Sequence, residues 1–100
     1  REGLILSKHV YRNIVVAYER FDPEFVLMIY DEMVGLGIEL DRTAYNAVLG
    51  ARAQLGMHDE ARELFMQMVD HAVVPNAKTY GVMIKVYSSS NQLESAIALF

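Results

Sequence analysis

The sequence predicts an all-α protein made of helix pairs that repeat about every 35 residues. Three observations lead to this fold class. Related residues recur at that spacing, each unit carries two apolar stripes at helical spacing, and helix-start residues stand ahead of the stripes. Hydrophobic residues make up 53% of the 100-residue chain, which is enough for a continuous core.

The repeat appears when each position is compared with the position 35 residues later. Tyr45 matches Tyr80, and Asn76 stands 35 residues after Asp41. The same offset relates four further pairs: Ala61 and Ala96, Leu64 and Leu99, Phe65 and Phe100, Met33 and Met68. Tyr11 precedes Tyr45 by only 34 residues, so the first unit is one residue short.

These offsets divide the chain into four expected segments. They are the end of a preceding unit (1–7), a degenerate unit one residue short (8–41), a full unit (42–76) and a truncated unit (77–100). The expected helices span about 8–20, 23–35, 42–55, 58–71, 77–88 and 91–100. Because the chain starts without Met and stops inside an apolar pattern, we expect it to be a piece of a longer protein.

Each expected helix has a local signal for its start or its end. Three residues can accept hydrogen bonds from the open amides of a following first helix: Ser7, Asp41 and Asn76. Asp22 precedes Pro23, and proline is favoured in a first helical turn. Asn91 and Glu94 have the spacing of a capping box. Gly56 is expected to end the first helix of the central unit in a left-handed conformation.

The recurring aromatic, methionine and alanine residues are predicted to pack. The tyrosines expected between neighbouring helix pairs are Tyr11, Tyr45, Tyr80, Tyr18 and Tyr87. Met33 and Met68 are expected to fill interior gaps, and Ala61 and Ala96 to let two helices cross closely.

Composition and motifs exclude several classes of function. The chain has no cysteine, its three histidines lack metal-binding spacing, and no apolar run approaches a membrane span. No phosphate-binding loop or nucleophile–base pair appears. We therefore expect no enzyme, cofactor, metal, membrane or small-molecule substrate, and no targeting segment is visible.

The central unit resembles the P-type repeats of the pentatricopeptide-repeat family. The residues that carry the resemblance are Thr43-Ala44-Tyr45-Asn46, Asp59-Glu60-Ala61, Leu64-Phe65, Met68 and Val74-Pro75-Asn76. The truncated unit repeats Thr79-Tyr80, Ala96 and Leu99-Phe100. The competing tetratricopeptide repeat has period 34 and an early tryptophan, which this chain lacks. The resemblance implies a right-handed α-solenoid in which the first helices line the binding surface.

The resemblance also implies single-stranded RNA as the partner, read one base per repeat. The reading pair is the residue after the motif tyrosine together with the last residue of the unit, here Asn46 and Asn76. The resemblance implies that such a pair prefers a pyrimidine, cytosine ahead of uracil. Thr43 stands where family members usually have an aliphatic residue that wedges between bases. Family members work mostly in mitochondria or plastids.

The other two units depart from this scheme. The first offers Arg12 and Asp41, with His9 at the wedge position. Arg12 can hold a phosphate, stack on a base or pair with Asp41, and the last of these would close the site. The truncated unit offers Gly81, which has no side chain.

Charge is sorted by helix although the net charge is −4. Seven of the nine basic residues belong to the expected first helices: Lys8, Arg12, Arg20, Arg42, Arg52, Lys78 and Lys85. One acid, Glu19, stands well inside those helices. The second helices carry Glu24, Asp31, Glu32, Asp59, Glu60, Glu63, Asp70 and Glu94, opposed only by Arg62. A local field of this kind attracts a polyanion, and we expect Lys78 and Lys85 to contact RNA.

Two functions remain open at this point. The first is RNA binding by a repeat tract of an organellar protein that acts in RNA processing, stability, translation or transcription. The second is a protein–protein scaffold in a large organellar assembly, such as a ribosome or an RNA polymerase complex. The degenerate pairs and the acidic second helices favour the second.

Overall fold

The computed structural model describes residues 8–89, which form five helices and no strand. They are α1 (Lys8–Tyr18), α2 (Pro23–Gly35), α3 (Arg42–Gln54), α4 (His58–Asp70) and α5 (Ala77–Ser89). All five observed helices begin at the expected residues. The tail at 1–7 and the sixth expected helix, with Asn91, Glu94, Ala96, Leu99 and Phe100, lie outside the described residues.

The helices are stacked as pairs. The first helices of successive units, α1, α3 and α5, lie side by side. Behind them, α2 contacts α1 and α3, and α4 contacts α3 and α5. Each second helix therefore packs between two successive first helices, so the predicted α-solenoid of helix pairs is confirmed. Among the described residues, none of the helices has the length and apolar character needed to span a membrane.

The core lies between the two layers and is made by the predicted stripes. Val48 and Leu49 of α3 are fully buried, and Ala61 of α4 is 0% exposed where the two helices meet. Met33 and Met68 are buried as gap-fillers, as expected. Tyr11 and Tyr45 are buried too. The predicted packing of these residues is confirmed.

Tyr18 is an exception among the tyrosines. Its side chain is 46% exposed, and its ring meets Phe25 edge-on with the ring centroids 5.2 Å apart. Phe25 belongs to the second helix of the same unit. The expectation that Tyr18 packs between neighbouring helix pairs is therefore wrong, because α1 ends there and the ring covers its own partner helix.

The helix caps follow the sequence signals, with one exception. Asp22 accepts a hydrogen bond from Phe25 N–H, and Asp41 accepts one from Ala44 N–H. Asn76 accepts one from Thr79 N–H at 3.1 Å. Met57 precedes α4 without a side-chain cap. Acids in the first turn of α4 compensate, since they favourably meet the positive end of the helix dipole.

Three helices, α2, α3 and α4, are followed by a residue in the left-handed backbone conformation. Gly56 has a φ of 74° and ends α3 as predicted, and Gly37 has a φ of 73° after α2. Ala72 stands 35 residues after Gly37 and has a φ of 61° despite its side chain. Helix α1 ends two residues earlier than expected, because Phe21 N–H and Asp22 N–H both donate to Tyr18 O.

Candidate nucleic-acid interface

The candidate site lies on the surface formed by α1, α3 and α5, here named the leading-helix face. The Glu19 Oε1–Lys78 Nζ ion pair, 3.1 Å long, joins the end of α1 to α5. It crosses α3 at Gly50, because a Cβ on Gly50 would overlap the Glu19 carboxylate. Asn46 lies one turn before Gly50, and Arg12 lies seven residues before Glu19. These side chains therefore share one face.

The upstream pair, defined as Arg12 and Asp41, is closed by an ion pair. Arg12 Nε lies 2.7 Å from Asp41 Oδ2. The other carboxylate oxygen accepts the Ala44 amide at 2.9 Å and caps α3. Of the three roles open to Arg12, pairing with Asp41 is the one observed. His9 is exposed and lines a pocket with the two members of the pair.

The downstream pair, defined as Asn46 and Asn76, is joined by a neutral hydrogen bond. Asn46 Nδ2 donates to Asn76 Oδ1 at 3.0 Å. Asn46 is only 4% exposed, whereas Asn76 is exposed at the start of α5. The structure thus brings the two predicted reading residues into contact, and Thr43 is exposed on α3 three residues before Asn46.

Thr79 is a third member of this site that the sequence reasoning missed. Its side chain is completely buried, and its hydroxyl lies 2.5 Å from Asn46 Oδ1. The same hydroxyl accepts the Asn76 N–H at 3.1 Å. The spacing of Asn76 and Thr79 is that of a reciprocal cap, and this signal could have identified Thr79.

Among the side chains that the structure describes, Arg52 does not join the basic strip that the charge sorting predicted. Arg52 turns away from the leading-helix face, because its Nη1 donates to Glu60 O at 2.7 Å. Its guanidinium also lies 5.2 Å from the Tyr30 ring centroid. Its contribution to the strip is a wrong expectation, since a long side chain can reach the second layer from a first helix.

A shorter cationic groove remains at the downstream end of the face. Arg20, Lys78 and Lys85 line this groove together with Gly81 and a single acid, Glu19. Arg20 follows the end of α1 instead of lying within it. Lys78 is 56% exposed at the side chain although it is paired with Glu19, so the groove keeps a local excess of positive charge.

Comparison with known proteins agrees with this architecture. The family model of the PPR repeat family matches residues 40–89. The small ribosomal subunit protein mL103 (rPPR7) of Arabidopsis thaliana is 27% identical over 100 residues, which cover 100% of this chain and 24% of that protein. A pentatricopeptide repeat-containing protein of Arabidopsis thaliana is 32% identical over 88 residues, which cover 85% of this chain and 11% of that protein.

A solved structure has the same fold. The crystal structure of the pentatricopeptide repeat protein PPR10 in complex with an 18-nt psaJ RNA element superposes with a TM-score of 0.82 at 24% identity. The match covers 98% of this chain and 14% of that one. This chain thus spans less than a quarter of the length of each of these three proteins.

The names of other relatives indicate where such proteins work. One from Arabidopsis thaliana, named chloroplastic, is 31% identical over 75 residues (74% of this chain, 10% of that protein). Another, named mitochondrial, is 30% identical over 81 residues (78% and 14%). Fold, repeat pattern and family match lead to one conclusion: the chain belongs to the pentatricopeptide-repeat family.

Proposed function

We propose that this chain is part of a tract that binds single-stranded RNA along the leading-helix face of a longer organellar protein. The tract would serve RNA processing, stability, translation or transcription, in a mitochondrion or a plastid. Family membership supports the proposal, and the PPR10 structure is of a complex with RNA. The observation that carries it is the downstream pair, in which the exposed residue Asn76 uses its side-chain oxygen within the pair and the cap, so that its amide nitrogen is left over.

The downstream pair is proposed to contact one base. Asn76 Oδ1 is occupied by the cap and by Asn46, so Asn76 Nδ2 is left to donate outward. An amide nitrogen can donate two hydrogen bonds. Cytosine offers adjacent acceptors, N3 and O2, on its Watson–Crick edge, whereas uracil carries a proton on N3. This chemistry agrees with the cytosine preference that the family resemblance implies.

The cationic groove is proposed to hold the RNA backbone beside that base. Three cations against one acid give a field that attracts phosphate. The upstream pair is not proposed to read a base, because Asp41 and Arg12 satisfy one another. We therefore expect this segment to recognise one base through the downstream pair and to bind the RNA backbone next to that base through the cationic groove.

Filter binding of the full-length protein to a randomised single-stranded RNA pool tests the proposal. Affinity should fall as salt rises, with a log–log slope of about −0.7 for each phosphate contacted. Asn76→Ser is the matched variant, because serine can still cap α5 but has no amide. It should weaken binding to cytosine-containing pools about fivefold or more. Weak binding that does not depend on salt would contradict the proposal.

A scaffold role is the second candidate, and one comparison favours it. One of the relatives matched over the whole chain is a small ribosomal subunit protein. In that case the protein would sediment with small organellar ribosomal subunits after a high-salt wash. If Asn76→Ser leaves RNA binding unchanged and this sedimentation persists, the scaffold function replaces the first proposal.

A further inference from the structure

The Thr79 hydroxyl lies at the centre of the downstream pair and is shielded from solvent. Thr79 is 0% exposed, and its Oγ1 has three polar neighbours. It accepts the Asn76 N–H at 3.1 Å, and it lies 2.5 Å from Asn46 Oδ1 and 3.0 Å from Asn76 Oδ1. A hydroxyl has one proton to donate. Which oxygen receives that proton follows from the rest of the network.

The orientation of both amides follows from hydrogen-bond complementarity. The Thr79 backbone N–H can only donate, so the Asn76 atom 3.1 Å away must be the oxygen. The Asn46 atom that faces this oxygen at 3.0 Å must then be a donor, Nδ2. Asn46 Oδ1 consequently faces Thr79, and at 2.5 Å it is the nearer acceptor of the hydroxyl proton.

We infer that Thr79 is a specificity-determining residue of this site, acting by positioning both amides. This inference rests on the proposed RNA-binding function. The hydroxyl holds Asn46 with its nitrogen toward Asn76 Oδ1, and that contact fills the oxygen that already caps α5. The Thr79 backbone N–H already turns Asn76 Oδ1 toward α5, and the hydroxyl prevents the flipped Asn46 amide, whose oxygen would repel Asn76 Oδ1 and disturb the cap. Together the two groups of Thr79 keep Asn76 Nδ2, a donor, as the outward group of the pair. The partner it selects is a base edge with adjacent acceptors.

The upstream pair shows why such a hydroxyl is needed only downstream. The position equivalent to Thr79 is Ala44, which has no side-chain hydrogen-bonding group. There the cap residue is Asp41, whose two oxygens are chemically alike and both accept. The two orientations of a carboxylate are equivalent, because both oxygens accept. The two orientations of an amide are not equivalent, because a flip exchanges a donor for an acceptor. The third residue therefore has a positioning role only in a pair of amides.

Selection from a randomised single-stranded RNA pool by the full-length protein tests the inference. The bound fraction is sequenced, and the base ratio is measured at each position of the enriched motif. The wild type should enrich cytosine at the position that the downstream pair contacts. Thr79→Val removes the hydroxyl and keeps the shape, and it should reduce the cytosine ratio there about fivefold or more. Thr79→Ser should retain the ratio within about twofold.

Ala44→Ser is the matched control, because it adds a hydroxyl at the equivalent position of the upstream pair. It should leave every base ratio unchanged. If Thr79→Val still binds the pool with the wild-type cytosine ratio, the inference is wrong while RNA binding stands. A uniform loss of affinity at all positions, with a lower melting temperature, would also overturn it. If the wild type enriches no RNA, the proposed function itself fails.

Discussion

The upstream and downstream pairs occupy equivalent positions in two successive units but leave different hydrogen-bonding groups open. In the upstream pair, one oxygen of Asp41 caps α3 and the other holds Arg12 at 2.7 Å. In the downstream pair, a single oxygen of Asn76 both caps α5 and accepts from Asn46. The amide nitrogen of Asn76 is what remains, on a residue that is exposed at the start of α5.

This comparison indicates that the last residue of a unit has two roles. Its side chain must cap the next helix, and any hydrogen-bonding group of that side chain that the cap does not use is available to the groove. Asp and Asn cap equally well, but asparagine keeps two donors after capping, whereas aspartate keeps only an acceptor. An arginine across the groove then uses that acceptor. Whether a pair can read a base therefore depends on which hydrogen-bonding groups of the unit's last residue stay open after that residue has capped the next helix.

The two pairs should differ most in how much they stabilise the fold, because Asn46 is buried whereas the Arg12–Asp41 ion pair is exposed. Asn46→Ala should lower the free energy of unfolding by about 1–3 kcal/mol, because the buried Thr79 hydroxyl loses its nearest acceptor. Arg12→Ala should cost less than about 1 kcal/mol, since its ion pair is 38% and 54% exposed at the two side chains. Urea unfolding of both variants measures the contrast, and equal losses would contradict it.

Opening the upstream pair should strengthen RNA binding. Asp41→Asn keeps a capping oxygen but removes the charge that holds Arg12. The freed guanidinium can then take a phosphate, which should raise affinity about fivefold near 0.1 M salt and steepen the salt slope by about 0.7. The control is Asp31→Asn, the same charge change on an exposed second-helix position. A similar gain in both variants would mean that net charge, and not Arg12, is responsible.

A smaller gain is expected from the acid in the groove. Glu19→Gln should release part of the hold on Lys78, which lies 3.1 Å away. The glutamine oxygen can still accept from Lys78, so we expect a gain of roughly two- to threefold in a salt titration. Glu24→Gln, on α2, is the matched control. No change in the Glu19 variant would show that Lys78 does not meet phosphate.

The fold could be predicted because its signals are local. Asp22, Asp41 and Asn76 each mark a helix start by a side chain that binds an amide three residues on. Apolar spacing then identified the buried side of each helix. The end of α1 was placed two residues late, because no residue there marks the turn in which two amides share the Tyr18 carbonyl.

Only part of the site could be predicted from the sequence. The family resemblance paired Asn46 with Asn76, and the structure brings the two side chains into contact. Contacts that depend on how the units stack were not visible, above all the Glu19–Lys78 pair, whose members are 59 positions apart. A glycine inside a helix, such as Gly50, can indicate that another group passes close to its backbone. The glycine alone does not identify that group, which here is the Glu19 carboxylate. Thr79 was interpreted only as a residue of the family motif, so its contact with Asn46 was not predicted.

The ends of α2 and α4 offer a second contrast in stability, of about 1 kcal/mol or less. Gly37 has a φ of 73°, and a Cβ there would meet no atom within 4 Å, so Gly37→Ala introduces backbone strain alone. It should lower the free energy of unfolding by about 1 kcal/mol. Ala72 already bears this strain at a φ of 61°. Ala72→Gly should therefore raise stability, but by only about 0.5 kcal/mol, because glycine also gives the unfolded chain more freedom. Thermal and urea unfolding check both signs, and a destabilised Ala72→Gly variant would mean that the alanine methyl stabilises this turn more than its backbone strain costs.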